Sequence, residues 1–250
     1  MTFTYALVAD SGVVLAADSE LTYTHSATED FVGEPFVIGT FQSKTHKIKR
    51  LPNGIAFSVA GNQGLIERLL SAIDTEVNLS FMEAILQFHR ALHEEYEKMY
   101  PENEAGQLHC DFLFAGYQSS ANRKAEPLLA KLSSRDRFSL NFPAWFDFTG
   151  RQYHGAALYL HHRLASEGMP LEAAKRLVYC VLAEVAMLDN MCGTPIEMVV
   201  VTSDGIANVP QAELEGYEET RKRVVDALQA AFSLSAPAVR GSTDSPHFST

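Results

Sequence analysis

Apolar residues recur along this chain in two rhythms. Short runs of β-branched, aromatic and small residues end at Ser-Gly, Asn-Gly or Asp-Gly pairs, and longer stretches carry apolar residues three and four apart. The first rhythm predicts strands joined by tight turns, the second amphipathic helices. Met1 to Val8, the turn Asp10-Ser11-Gly12 and Val13 to Asp18 predict a strand, a turn and a second strand. From Tyr23 to Thr40 the chain is polar and aromatic, and Gly33, Pro35 and Gly39 predict a loop or excursion. Lys44 to Leu51 runs into Pro52-Asn53-Gly54, and Ile55 to Ala60 is the returning strand of a hairpin. Gly61-Asn62-Gln63-Gly64 then opens a helix whose Leu65, Ile66, Leu69, Leu70 and Ile73 repeat at helical spacing, with Asn62 as its N-cap.

A second helix is predicted from about Phe81 to Tyr100, opened by the capping box Ser80–Glu83 and stopped by Pro101. Cys110 to Tyr117 has the pattern of a buried strand, with Pro127 to Leu132 as its hairpin partner. Phe138 to Phe148 reads as extended. A third helix is expected from Tyr153 to about Ser166, and Pro170 is placed as the first residue of a fourth. Leu171, Ala174, Leu177, Val178, Val181, Leu182 and Val185 leave that fourth helix an almost continuous apolar face. Ile196 to Ile206 makes another strand–turn–strand, and a last helix runs from Leu214 to about Phe232. Residues 1–235 read as one domain and 236–250 as a disordered tail. Helices thus come in pairs between hairpins. That order disfavours an alternating parallel sheet and fits an α+β class, with paired antiparallel sheets and helix layers outside them.

Charge and cysteine content narrow the function. Lys+Arg 20 against Asp+Glu 31 gives a net charge of -11, and with no Lys/Arg stripe the chain is a poor candidate for nucleic acid or anionic membrane, so neither is expected as a partner. No apolar run approaches the roughly 18 residues of a membrane span, and no basic segment precedes an apolar stretch at the N-terminus. Cys110, Cys180 and Cys192 are too sparse for a disulfide framework and fit reduced thiols in a cytoplasm.

Among candidate chemistry, His89 and His93 lie four apart on one helix, but a metalloprotease glutamate is missing between them. A solvated face beside Glu94 and Glu95 accounts for the pair. His161 and His162 are adjacent and cannot share a helix face. Cys192 has no evident base beside it in the sequence. Gly61 to Gly64 lacks the spacing of a phosphate-binding loop, yet a strand-to-helix turn with exposed N–H groups suits an oxyanion. Thr2 is small enough for Met1 to be removed, and an N-terminal threonine carries both a nucleophile and its own α-amine base. An edge strand with a threonine of no special role is the plainer alternative.

Taken in order, Thr2, Gly12-Val-Val-Leu-Ala-Ala-Asp18, His46-Lys47-Ile48 and Val59-Ala60-Gly61 resemble the proteasome β-subunit family of N-terminal-nucleophile hydrolases. Asp189-Asn-Met-Cys192-Gly193 looks like that family's Asp-x-x-Ser-Gly-Gly, and Phe148-Thr149-Gly150-Arg-Gln-Tyr153 like its Gly-Ser-Gly-x-x-Tyr. The Cys-Gly-Thr-Pro-Ile at 192–196 is closest in style to the bacterial ancestral β-subunit (Anbu) branch. The sequence departs from the family at Glu20, where arginine is common, at Thr149 and Cys192, where serines stand, and in a longer segment from Thr22 to Lys47.

The resemblance implies a four-layer αββα sandwich and a threonine endopeptidase in a homo-oligomeric cytoplasmic particle, with a peptide or unfolded protein as substrate. It implies Thr2, Asp18, Lys47, Gly61, Thr149, Asp189 and Cys192 as the catalytic set. Val59 and Lys49 would line the pocket for the substrate residue before the scissile bond, with Leu21, Thr22, Thr45 and Gln63 beside them. It implies no metal and no organic cofactor, and specifies no ATPase or regulatory partner. Two alternatives stay open: a catalytically silent subunit of an assembly, and an amidase acting on small amides.

Overall fold

The computed structural model of the chain describes residues 2–27, 36–44, 46–75, 78–100, 108–120, 123–150, 154–188 and 192–234, with only the backbone described between 20 and 44. The tail expected at 236–250 lies outside these residues. The first predicted hairpin forms as β1 (Phe3–Val8) and β2 (Val13–Asp18), with Thr4 opposite Ala17 and Val8 opposite Val13. Its turn is closed by the Ala9 N–H donating to the Gly12 carbonyl at 2.8 Å. Phe3, Tyr5 and Leu7 face one core and Ala6 another, so the strand is apolar on both sides.

Further along the chain come β3 (Glu20–Ala27), β4 (Phe36–Lys44), β5 (Ile48–Leu51), β6 (Ile55–Gly61), α1 (Gln63–Leu70) and α2 (Phe81–Met99). They are followed by β7 (Cys110–Ser120), β8 (Arg123–Ser133), β9 (Phe146–Gly150), α3 (His154–Leu164), α4 (Leu171–Leu188), β10 (Ile196–Thr202), β11 (Gly205–Asn208) and α5 (Gln211–Leu234). A five-stranded antiparallel sheet has the order β11-β10-β2-β1-β9, and a four-stranded one the order β5-β6-β7-β8.

Three apolar clusters bind these parts. Phe3, Tyr5, Val14 and Met198 of the first sheet pack on Leu177, Val178, Val181 and Leu182 of α4 and on Leu214 of α5. Phe57, Phe112 and Phe114 of the second sheet pack on Leu65 and Leu69 of α1 and on Ile85, Phe88 and Leu92 of α2. The third cluster joins the sheets: Ala6, Val13, Leu15, Ala17 and Val199 meet Ile48, Ala56, Leu113, Ala115 and Leu129. The helices begin where local chemistry satisfies their first N–H groups. Asn62 Oδ1 accepts from the Leu65 N–H at 2.9 Å, and Ser80 and Glu83 form the reciprocal box. No helix of the described residues is long and apolar enough to cross a membrane.

The structure corrects several expectations. Where a loop or excursion is expected over Tyr23 to Thr40, residues 23–27 and 36–40 belong to the paired strands β3 and β4, whose register runs from Glu20 opposite Lys44 to Ala27 opposite Phe36; 28–35 lie outside the described residues. The Thr, Tyr, Val, Ile and Phe residues of the two strands favour an extended backbone. Gly39 sits beside a bulge, where His25 pairs with Gly39 but Ser26 pairs with Val37. Pro170 precedes α4; its carbonyl accepts from the Ala174 N–H, and Asp10 Oδ1 accepts from the Leu171 N–H at 3.1 Å. Of the stretch 138–148, only the end enters β9.

His89 and His93 do not form a solvated face. Both are half-buried, and their Nδ1 atoms donate to the carbonyls of Phe138 at 2.8 Å and Arg137 at 3.1 Å. Arg137 and Phe138 have φ of 56° and 60°, a left-handed turn that these two bonds help to hold. His161 is fully buried, with its ring centroid 3.6 Å from that of Phe146, and its Nδ1 shares a 2.7 Å hydrogen bond with the Tyr5 hydroxyl. Its Nε2 has no partner among the described residues.

Burial, together with the nearby His162, pushes the His161 ring down to about 4. Below its ordinary value near 6.5 the unfolded chain takes up a proton that the folded chain refuses until about pH 4. Folding stability should therefore fall with pH through that window, by up to about 3 kcal/mol. Denaturant midpoints measured from pH 7 to pH 4 should show this slope, and His161→Phe should flatten it. An unchanged slope in the variant would place the acid sensitivity elsewhere.

Candidate active site

Thr2 precedes β1 and is only 5% exposed. The first bond of the strand ties it down: the Phe3 N–H donates to Asp18 Oδ1 at 2.7 Å. Asp18 ends β2, and its other oxygen accepts from Lys47 Nζ at 2.9 Å and from the Gly193 N–H at 3.4 Å. Asp18 and Lys47 are 2% and 3% exposed, so this is a buried ion pair. Taking both charges out of water is costly, and such a pair persists where remaining lone pairs are satisfied as well. The Phe3 and Gly193 amides do that here. Burial pushes the Asp18 carboxyl above the usual carboxylate range, opposed by the Lys47 ammonium and these two N–H groups.

A cavity of about 160 Å³ opens beside Thr2 and is lined by Lys47, Val59, Gly61 and Ile66, among others. Val59 projects from the same face of β6 as Phe57, towards α1. Lys49 and Gln63 also line the cavity. So do His46, Glu67 and Leu70, none of which the resemblance implies as a site residue. The helix residues were within reach of a pattern argument, because Gln63, Ile66, Glu67 and Leu70 are spaced on one face of α1. Gln63 Nε2 donates to Glu67 Oε1 at 2.7 Å, so a carboxylate as well as the Lys49 side chain lines the cavity.

Two glycines at the site have physical reasons. Gly61 ends β6 at φ 126°, and a Cβ there would lie 2.2 Å from the His109 carbonyl oxygen. Gly150 has φ 109°, and a Cβ would lie 1.8 Å from the Thr2 carbonyl oxygen. Any side chain at Gly150 would push β9 away from the start of β1, where Phe3 pairs with Gly150.

The other expected residues divide. Thr149 is buried on β9 opposite Thr4, and neither hydroxyl has a partner among the described residues. Cys192 is 4% exposed and packs in the core under the first sheet, while its neighbour Gly193 reaches Asp18. In the backbone register Leu21 and Thr22 lie on β3 opposite Ser43 and Gln42. Thr45 and Asp189 lie outside the described residues. Among the described residues no three His, Cys, Asp or Glu side chains gather as metal ligands.

A small residue carrying a hydroxyl, a buried lysine held by an aspartate, and a glycine-edged cavity thus meet where both sheets end. The fold beneath them is that of the proteasome-like ancestral β-subunits, the branch that the sequence resembles. A solved Anbu structure from Yersinia bercovieri superposes with a TM-score of 0.67 at 14% identity, over 95% of this chain and 99% of that one. An Anbu mutant from Hyphomicrobium sp. strain MC1 gives 0.66 at 18% identity over 100% of both chains. A helical assembly of the Anbu complex from Pseudomonas aeruginosa gives 0.69 at 15% identity, over 95% of this chain and 99% of that one. No protein-family model matches the sequence, and no curated protein matches it.

Proposed function

We propose that this chain is a threonine endopeptidase of the proteasome β-subunit type, built as a four-layer αββα sandwich. The observation that carries the reading is the buried Asp18–Lys47 pair, anchored through the Phe3 N–H at the residue after Thr2 and adjoining a cavity that begins at Thr2. With Met1 removed, the Thr2 hydroxyl attacks a peptide carbonyl carbon and its proton passes to the Thr2 α-amine. The Lys47 charge favours the alkoxide and keeps the amine neutral. An N–H at Gly61 serves the oxyanion; a donor of this kind contributes about 2.7–4 kcal/mol in the transition state. As the intermediate collapses, the C–N bond breaks and the protonated amine gives its proton to the leaving nitrogen. Water then attacks the resulting ester and loses a proton to the amine; the acyl C–O bond to Thr2 breaks as the amine returns that proton to Thr2 Oγ, which releases the acid and the free threonine. Asp189, Thr149 and Cys192 are assigned to orienting the amine and that water, and Leu21, Thr22 and Thr45 to the substrate strand.

The chain would work in a homo-oligomer. Leu158, Tyr159 and Leu164 on α3 and Met187 and Leu188 on α4 are between 36% and 69% exposed, large apolar groups that a neighbouring subunit would cover. The Anbu complex of Pseudomonas aeruginosa is itself a helical assembly.

Fluorogenic peptides differing only at the residue before the scissile bond test the activity. Val59, Ile66 and Leu70 make an apolar floor, so Leu and Met should be preferred to Arg and Lys by roughly tenfold or more. Lys49 and Glu67 line the same cavity with opposite charges, so this preference rests on the floor. Turnover confined to basic residues would refute the pocket assignment. No turnover by chain lacking Met1 would favour the silent subunit.

A further inference from the structure

Glu197 lies on β10 beside the ion pair and has no part in the chemistry described above. In the β10–β2 ladder Ile196 stands opposite Asp18, and Glu197 opposite Ala17. The Glu197 side chain reaches across to the other sheet. Its Oε2 accepts from the backbone N–H of Lys47 at 3.1 Å and of Ile48 at 3.4 Å. Its Oε1 lies 3.4 Å from His46 Nδ1. The carboxylate is 23% exposed whereas His46 is 94% exposed, so water screens the histidine contact and the backbone bonds carry the grip. Hydrogen bonds from N–H groups to a charged acceptor are roughly twice as strong as neutral ones.

The entry to β5 needs such an acceptor. β5 is the edge strand of its sheet, and Lys47 comes just before the ladder begins at Ile48 opposite Ser58. Lys47 is therefore held at both ends from two adjacent strands of the other sheet. Asp18 on β2 takes the ammonium, and Glu197 on β10 takes the main chain. Both strands belong to the sheet that carries Thr2, so the two grips fix Lys47 relative to Thr2 even if the sheets shift against each other.

We propose that Glu197 is a positioning residue for Lys47: its carboxylate sets the main chain from which the ammonium reaches Asp18 and the space beside Thr2. This rests on the threonine-peptidase reading of the site. Without the grip, the backbone at Lys47 relaxes towards solvent and its charge moves away from the Thr2 amine. The amine pKa then rises, so the acid limb of the rate profile moves to higher pH. A displacement of about 1 Å at a reacting group can cost about 100-fold in rate.

The experiment compares Glu197→Ala, Glu197→Asp and Glu197→Gln in the full chain, by peptide hydrolysis and by the pH dependence of epoxyketone labelling. Glu197→Ala should lower kcat about 100-fold with KM nearly unchanged, and shift the acid limb of labelling upward. Glu197→Gln keeps an acceptor oxygen at the same reach and should restore the rate to within about tenfold of wild type. Glu197→Asp keeps the charge but falls short by one methylene. It serves if the alanine variant does not fold, and should lose rate and shift the profile while remaining folded. A lower melting temperature with kcat and pH profile unmoved in a folded Ala or Asp variant would make Glu197 a plain tie between sheets and overturn the proposal. A wild-type chain that is neither active nor labelled overturns the peptidase reading and this inference with it. A labelled wild type with indifferent variants overturns only the role of Glu197.

Discussion

Thr2→Ala will abolish peptide hydrolysis and covalent labelling while leaving the folded chain intact. If Thr2 is the covalent nucleophile, its loss costs at least roughly 10⁴-fold in kcat, because the acyl intermediate then has no hydroxyl on which to form. The structural cost is small. Thr2 precedes β1, and the strand's attachment runs through the Phe3 N–H and the Asp18 carboxylate, which the substitution does not touch. Its side chain adjoins a cavity, so alanine removes a methyl and a hydroxyl without clash. Circular dichroism and denaturant midpoints should therefore match wild type within about 1 kcal/mol. Thr2→Ser retains the hydroxyl and should keep measurable turnover. An epoxyketone joins both the hydroxyl and the free α-amine, so its adduct should map to Thr2 and vanish in the alanine variant. An adduct that persists there, or moves to Cys192, would show that the nucleophile has been misassigned.

The second large effect is expected at Lys47, on stability as well as on rate. With Lys47 and Asp18 only 3% and 2% exposed, Lys47→Ala leaves a buried carboxylate without its countercharge. Breaking a buried pair in this way costs about 3–5 kcal/mol. The kinetic loss remains, at about 10²-fold or more, since the charge that favours the alkoxide and the neutral amine is gone. The two effects can be separated. Adding Asp18→Asn to Lys47→Met removes both charges and keeps most of the volume, so stability should largely return while turnover does not. Recovery of turnover together with stability would make Lys47 a structural residue. A single Lys47→Ala variant that turns over nearly as fast as wild type would do the same.

The elements show where sequence reasoning works. The Asp10-Ser11-Gly12 turn, the Asn62 cap and the Ser80–Glu83 box each have partners within a few residues, and each formed as the pattern required. The pairing of 20–27 with 36–44 runs against the local pattern, because Gly33, Pro35 and Gly39 signal turns. A bulge absorbs Gly39 without ending the strand. The histidines were misread for a related reason. The partners of His89 and His93 are carbonyls in a turn 49 and 44 residues away, and no spacing rule reaches that far.

By itself the sequence determined the order of strands and helices apart from β3 and β4, the apolar faces they bury, and the set Thr2, Asp18 and Lys47 as a likeness to a known arrangement. Those features depend on side-chain period, turn chemistry and residue identity, which are local. Tertiary structure decided what surrounds the set. Asp18 is met by the Phe3 N–H from 15 residues away, by Lys47 from 29 and by Gly193 from 175. Glu197 grips Lys47 from 150 residues away, and Glu67 closes one wall of the cavity from α1. Desolvation and hydrogen-bond partners act over a few ångströms of space, whatever the distance along the chain. They exist only once the two sheets have packed and the ends of β1, β2, β6 and β10 have come to lie beside the entry to β5.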